Sequence, residues 1–138
     1  MSKLLERLQD ASRSGVYRAS GAEAILEATR GSRLDLTTIS LGGGKEAQLK
    51  RIAAALGFPD WFGQNWDALE DCLTDLSWRE ADGTVLVLTG FTRNDELGIL
   101  LDVLAASAES WAERGKPFFA VFIDPQRSLE LPPLYRGA

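Results

Sequence analysis

Apolar residues recur along this chain at helical spacing in some stretches and as short unbroken runs in others. Leu49, Ile52, Ala53 and Leu56 are spaced to line one side of a helix, which Gly57-Phe58-Pro59 then stops. From Asp95 to about Arg114 a longer amphipathic stretch places Leu97, Leu100, Leu101, Leu104, Ala108 and Trp111 on one face, with Gly115 directly after it. A further helix is predicted from about Asn65 to Leu76. Thr84-Val-Leu-Val-Leu-Thr89 and Phe118-Phe-Ala-Val-Phe-Ile123 are instead continuous apolar runs bounded by turn residues, the pattern of strands buried on both faces. Arg33-Leu-Asp-Leu-Thr-Thr-Ile39, rich in β-branched residues, adds another strand, and Leu41-Gly-Gly-Gly44 follows it as a loop.

The order is therefore strand, helix, helix, strand, helix, strand. Strands that are apolar on both sides and joined by long helices belong in a parallel sheet covered by helices. The expectation is an α/β domain over residues 33–123, built on a small three-stranded parallel sheet packed with helices. Residues 1–32 read as an N-terminal helical extension packed on the main domain at the sheet edge. In it, one helix runs from Lys3 to about Ala11, and a second starts at Ser20, whose spacing to Glu23 is that of a capping box, and ends near Gly31. Val16-Tyr17-Arg18 between them could be a short extended piece. Residues 124–138, with Pro132 next to Pro133, are predicted to be irregular.

Composition narrows the chemistry. At 138 residues the chain has the size of one ordinary domain, and 45% apolar with 25% charged residues is the balance of a soluble globular protein. No stretch approaches the roughly 20 apolar residues of a membrane helix, so no membrane association is expected. The first ten residues mix charges with leucines and lack an apolar h-region, unlike a secretory signal. The single cysteine, Cys72, leaves no internal disulfide and no CxxC site. A cytoplasmic protein is expected. There is no histidine, which removes the commonest general base and metal ligand and leaves Cys72 without an activating imidazole. The sequence points away from enzymes, and no cofactor or metal is expected.

Charge location is more informative than the net value of −5. No lysine or arginine lies between Arg51 and Arg79, whereas Asp60, Asp67, Glu70, Asp71 and Asp75 all do. Setting those five aside leaves fifteen acids against fifteen bases, so this segment accounts for the whole excess. An acidic block repels phosphates, which argues against direct nucleic-acid binding and for a basic protein partner. At 100° per residue, Trp66, Leu69, Leu73 and Leu76 share an arc of about 80°. Asp67 and Asp71, at about 100° and 140° from Trp66, fall nearly opposite with Asp75 at about 180°, and Glu70, at about 40°, lies between them and the stripe. A solvated helix face also carries acids, and Asp67 in the first turn is favoured by the helix dipole. The total lack of bases in the segment tilts the balance towards an external cation. In the leading loop, Trp61 and Phe62 stand beside Gly63, and Asn65 is a good N-cap. Either aromatic taken singly is more often a core residue than a contact.

The run Phe58-Pro-Asp-Trp-Phe-Gly-Gln-Asn-Trp-Asp-Ala-Leu-Glu-Asp-Cys-Leu-Thr-Asp-Leu76 resembles the signature of the barstar family, intracellular inhibitors of bacterial ribonucleases. The shared frame is aromatic, aromatic, Gly, x, Asn, apolar, Asp, Ala, Leu, x, Asp, Cys, Leu, Thr, and the resemblance extends over roughly residues 33–123. It implies a barstar-like fold and a partner-binding surface made of Trp61, Phe62, Gly63, Asn65, Asp67, Glu70, Asp71 and Asp75. By that resemblance Asp71 enters the pocket that holds the substrate phosphate, Asp67 meets a second basic group, Trp61 covers the catalytic centre, and Gly63 and Asn65 shape the loop. The expected partner is a ribonuclease or toxin nuclease. Two departures stand out: Glu70 occupies a position that is aromatic in the best-known form, and Trp66 replaces an aliphatic residue. The family also uses an acid late in its third helix, for which Glu109 and Glu113 are the candidates.

Other readings remain beside this one. The scaffold could bind a protein, or serve as an immunity protein for a toxin of other chemistry, without inhibiting a ribonuclease. Asp67, Glu70 and Asp71 could hold Mg²⁺ in a carboxylate-based enzyme, although one helix supplies no second ligand set. Gly42-Gly43-Gly44-Lys45 lacks the first glycine of a phosphate loop, where Ile39 stands, and has Glu46 in place of Ser or Thr. Cys72, beside the apolar stripe, is expected to be a partly buried structural thiol, and Trp78 and Trp111 to lie at the core or its edge.

Overall fold

The structure, a computed structural model, describes residues 2–138; Met1, the first residue of the predicted extension, lies outside them. The elements in chain order are α1 (Lys3–Leu8), a 3₁₀ turn (Ala11–Arg13), β1 (Gly15–Ala19), α2 (Glu23–Thr29), β2 (Leu34–Ser40), α3 (Lys45–Leu56), α4 (Trp66–Asp75), β3 (Gly83–Thr89), α5 (Asp95–Glu113) and β4 (Phe118–Ile123). The helices and strands predicted over residues 33–123 are all present.

The sheet has four parallel strands in the order β1-β4-β3-β2, not the three expected. The additional strand contains the short extended piece around Val16-Tyr17-Arg18. It pairs with β4 from Gly15 opposite Phe119 to Ala19 opposite Ile123. Five residues with an arginine and no strict alternation carry little strand signal of their own. What makes them a strand is the free edge of β4, whose N–H and C=O groups need partners on both sides. Tyr17 then stacks on Phe119, ring centroids 5.6 Å apart.

The two sheet faces are covered separately. Leu86, Leu88, Phe118, Ala120 and Phe122 point into a core closed by α3, α4 and α5, while Val85, Val87, Phe119 and Val121 point to the other side, where Leu8 of α1, Ile25 of α2 and Leu134 of the tail meet them. This two-sided burial is why the two central strands read as unbroken apolar runs. The expected capping box of α2 is not formed: Ala22 occupies the N-cap without a side-chain hydrogen bond, and the helix starts at Glu23.

Residues 124–138 contain neither helix nor strand, yet Leu129, Leu134 and Ala138 are buried. The organiser of this segment is Asp124, itself buried, whose carboxylate accepts from Ser128 N (3.0 Å), Ser128 Oγ (2.8 Å) and Leu129 N (2.8 Å). Burial pushes its pKa up. The donors at Leu129 and Ser128, together with the positive charge of Arg18, outweigh that and hold it below the usual carboxylate range. Further on, Arg18 N donates to Pro132 O and Leu134 N to Arg18 O, both at 2.9 Å, so the tail covers the outer edge of β1. Among the described residues no helix is long and apolar enough to cross a membrane.

Candidate functional site

The segment from Gly57 to Arg79 is held at three points, and these decide what α4 shows to solvent. The first is the loop ahead of it. Gly57 closes α3 in the left-handed conformation (φ 66°), and Phe58 N donates to Ala53 O at 2.9 Å. Phe58 packs edge-on against Phe62 and Trp78, with centroids 5.0 and 5.9 Å away. A turn closed by Phe62 N donating to Pro59 O (3.0 Å) tucks Phe62 against the core and leaves Trp61 outside, 63% exposed. Of the two loop aromatics, Phe62 is therefore an anchor and Trp61 the free surface.

The second point is the helix start. Asn65 accepts from Ala68 N through Oδ1 (2.7 Å) and donates from Nδ2 to Gly63 O (3.4 Å), so one side chain caps α4 and ties the loop to it. The left-handed residue of the loop is Gln64 (φ 51°), not Gly63. A Cβ at Gly63 would meet Asn65 Nδ2 at 3.4 Å and Ala68 Cβ at 3.6 Å, ordinary contacts, so the fold itself does not require glycine there.

The third point is the helix end. Leu76 terminates α4 with φ 46°. The last carbonyls of a helix lack intrahelical donors, and here α5 supplies them. Trp111 Nε1 donates to Leu73 O at 2.7 Å, and Arg114, stacked on the Trp111 ring (3.7 Å from its centroid), donates to Thr74 O. A cation at this end also suits the helix dipole. Just beyond, Trp78 Nε1 and Arg79 Nη1 each donate to Leu56 O at 3.0 Å, and Arg79 forms a two-pronged pair with Asp35 of β2. Trp78 and Trp111 thus sit half-buried at the core edge as expected, each using its one polar atom to fix α4.

With the helix pinned, its faces separate as the spacing implied. Leu69, Cys72 and Leu73 are buried, and Leu76 beyond them; Trp66 is half-buried with Lys45 Nζ 5.9 Å over its ring. Cys72 is fully buried, deeper than expected. Burial first, and the charges of Asp71 and Asp75 second, push its thiol pKa up, so it is an unreactive packing group.

Asp67, Glu70, Asp71 and Asp75 are all exposed. Among the described residues, no ion pair uses any of them or Asp60; the pairs lie elsewhere. Asp67 and Asp71, one turn apart, share the outer face with Asp75, and Glu70 lies on the flank of the helix beside Trp66. Asp75 also lines a cleft of about 880 Å³ at the other end of α4, together with Arg79, Trp111 and Lys116. The two late acids of α5 are not brought into this face by any polar contact. Glu109 and Glu113 are exposed, and the side-chain hydrogen bonds to the end of α4 come from Trp111 and from Arg114, the C-cap of α5. What this end of α5 gives to α4 is a cation, Arg114. That contribution was not foreseen, although an arginine three residues after a tryptophan in a last helical turn is a usable capping signal. Among the described residues, no group of three or more His, Cys, Asp or Glu side chains is arranged to hold a metal ion.

No curated protein matches the chain. A family model described as "Barstar (barnase inhibitor)" matches residues 33–123, the stretch that carries β2 to β4 with α3, α4 and α5. The match spans most of the chain and includes the whole pinned helix and its loop, and the protein belongs to the barstar family.

Proposed function

We propose that this protein is an intracellular inhibitor that lays α4 and the 61–65 loop over the basic active site of a ribonuclease. The observation that carries the proposal is a set of exposed carboxylates, Asp67, Glu70 and Asp71, with no cation of their own, beside an exposed Trp61 on a helix fixed at both ends. Carboxylates at fixed spacing imitate the phosphates of the substrate. Their unscreened charge steers a basic enzyme towards them, and their rigid mounting lowers the entropy lost on docking. By family similarity Asp71 occupies the phosphate pocket, Asp67 meets a neighbouring basic group, and Trp61 lies across the catalytic centre. Phe62 and Asn65 act by holding the loop. Gly63 leaves room for the partner's backbone, and Asp75 supplies charge at the rim.

The test is affinity capture from the source cells, with barnase as a defined probe in parallel. Wild type is expected to retain a ribonuclease and suppress its activity, and Asp71→Ala to lose capture mainly through faster dissociation, by about 2–5 kcal/mol. That range comes from interfaces that include the family's own barnase–barstar complex, so it describes the family and is no independent result of this fold. Association is expected to slow steeply with salt. An Asp71→Ala variant that captures as well as wild type refutes the assignment.

A second reading rests on Glu70, which makes the face more acidic than the family frame. In that reading the partner is a basic toxin of other chemistry, and the captured protein cleaves no RNA.

A further inference from the structure

On the sheet face opposite α4, a groove of about 650 Å³ opens between α1, α2 and the C-terminal tail. Every residue lining it lies outside the 33–123 family match, so the groove belongs to what this chain adds to the family fold. Its origin is local. Leu8 of α1 and Ile25 of α2 turn inward to the sheet and are fully buried. Ala24 and Ala28, one turn apart on α2, are too short to fill the space left between the two helices, and Leu4 and Tyr135 wall it on the other sides.

The rim is cationic in a protein whose net charge is −5. Lys3, Arg7 and Arg136 line it, and among the described residues none of them takes part in an ion pair. The acid of the lining, Glu27, has its own partner in Arg30 at 3.3 Å. An apolar floor under an unbalanced positive rim is matched by one kind of ligand, an apolar chain that ends in an anion. The volume lies within the roughly 300–1,000 Å³ of small-molecule sites and suits a single chain. Burying methylenes along Leu4, Ala28 and Tyr135 supplies the hydrophobic part, and charge-assisted hydrogen bonds from Arg7 and Arg136 supply orientation.

We propose that the groove between α1, α2 and the tail binds a free aliphatic carboxylate, its chain over Ala24, Ala28 and Tyr135 and its head group against Lys3, Arg7 and Arg136. The proposal is independent of the nuclease surface, which lies on the other face of the sheet.

The experiment titrates decanoate into the full chain and follows backbone amide shifts, with 1-decanol and inorganic phosphate as controls. Two variants are compared, Lys3→Glu/Arg7→Glu, which reverses the charge of the rim, and Ala28→Trp, which fills the groove from a half-buried position. The expected result is a saturable shift of Leu4, Ala24, Ala28 and Tyr135 with decanoate. Decanol is expected to bind at least about tenfold more weakly, phosphate not to saturate, and both variants to lose the response by a similar factor. Urea midpoints identify either variant that fails to fold, and the remaining one then decides. Equal binding of decanol overturns the proposal, as do shifts that map to the Trp61 loop or unchanged binding in both folded variants. Preferential saturation by an acidic amphipathic peptide, or concentration-dependent self-association abolished by the rim reversal, overturns it in favour of a protein occupant.

Discussion

The pair between Asp35 and Arg79 joins β2 to the residues that follow α4, and its removal tests whether the acidic helix is held from behind. Arg79 Nε and Nη2 grip the two oxygens of Asp35, Nη2 reaches Thr37 Oγ1 at 3.4 Å, and Nη1 donates to Leu56 O at 3.0 Å. The two side chains are only 26% and 19% exposed. The hydrogen bonds to Asp35 outweigh desolvation and hold the guanidinium pKa above its ordinary value, so the cation persists at any working pH. Exposed pairs contribute up to about 1 kcal/mol, whereas breaking a buried one costs about 3–5 kcal/mol by stranding the remaining charge. At this partial burial Asp35→Ala is expected to cost about 2–3 kcal/mol, discounted from the buried figure for residual solvent access. For 138 residues that lowers Tm by about 7–10 °C. Replacing both partners, Asp35→Leu with Arg79→Met, strands no charge and is expected to recover most of the loss, because Leu56 O keeps the Trp78 indole donor. Calorimetry and urea unfolding of the two single variants and the double one measure this. A loss under about 1 kcal/mol in Asp35→Ala, or a double variant less stable than that single one, refutes the account.

Trp61→Ala is expected to leave unfolding free energy within about 0.5 kcal/mol of wild type while weakening nuclease capture; a large stability loss would make the ring structural. Gln64→Gly relieves a left-handed non-glycine residue at some cost in unfolded-chain entropy, so a net gain of about 0.5–1 kcal/mol is expected in urea unfolding, and no gain would contradict the loop geometry. Asp124 has a lowered pKa in the folded state, so its contribution is present above the unfolded value of about 4 and fades as pH falls through the folded one. Asp124→Asn is therefore expected to be less stable than wild type by about 1–3 kcal/mol at pH 7. The gap should narrow as pH falls below about 4; unfolding at pH 7, 5 and 3 reads it, and a gap as wide at pH 3 as at pH 7 is the contrary result.

Much of this architecture was legible in residue order. Runs such as Val85 to Leu88 and Phe118 to Phe122 announce central parallel strands because burial on both faces removes any polar alternation. The faces of α4 follow from the spacing of Leu69, Cys72 and Leu73 against Asp67, Asp71 and Asp75, since a helix turns by a fixed angle per residue. Asn65 as N-cap and Gly57 as helix stop were equally local, each being a property of one residue's own side chain or backbone.

What depended on distant residues was not legible. Gly15–Ala19 became a strand through the free edge of β4, about a hundred positions away. Trp61 and Phe62 are neighbours of similar size, and only the turn at Pro59 with the Phe58 and Trp78 rings decided which faced solvent. The donors for the end of α4 came from Trp111 and Arg114, and the tail gained its order from the carboxylate of Asp124. Periodicity and charge along one segment are set by local geometry, so the sequence by itself determined the elements and the acidic face. Edges, caps and exposure depend on which groups tertiary packing leaves without partners, and only the fold supplies those partners.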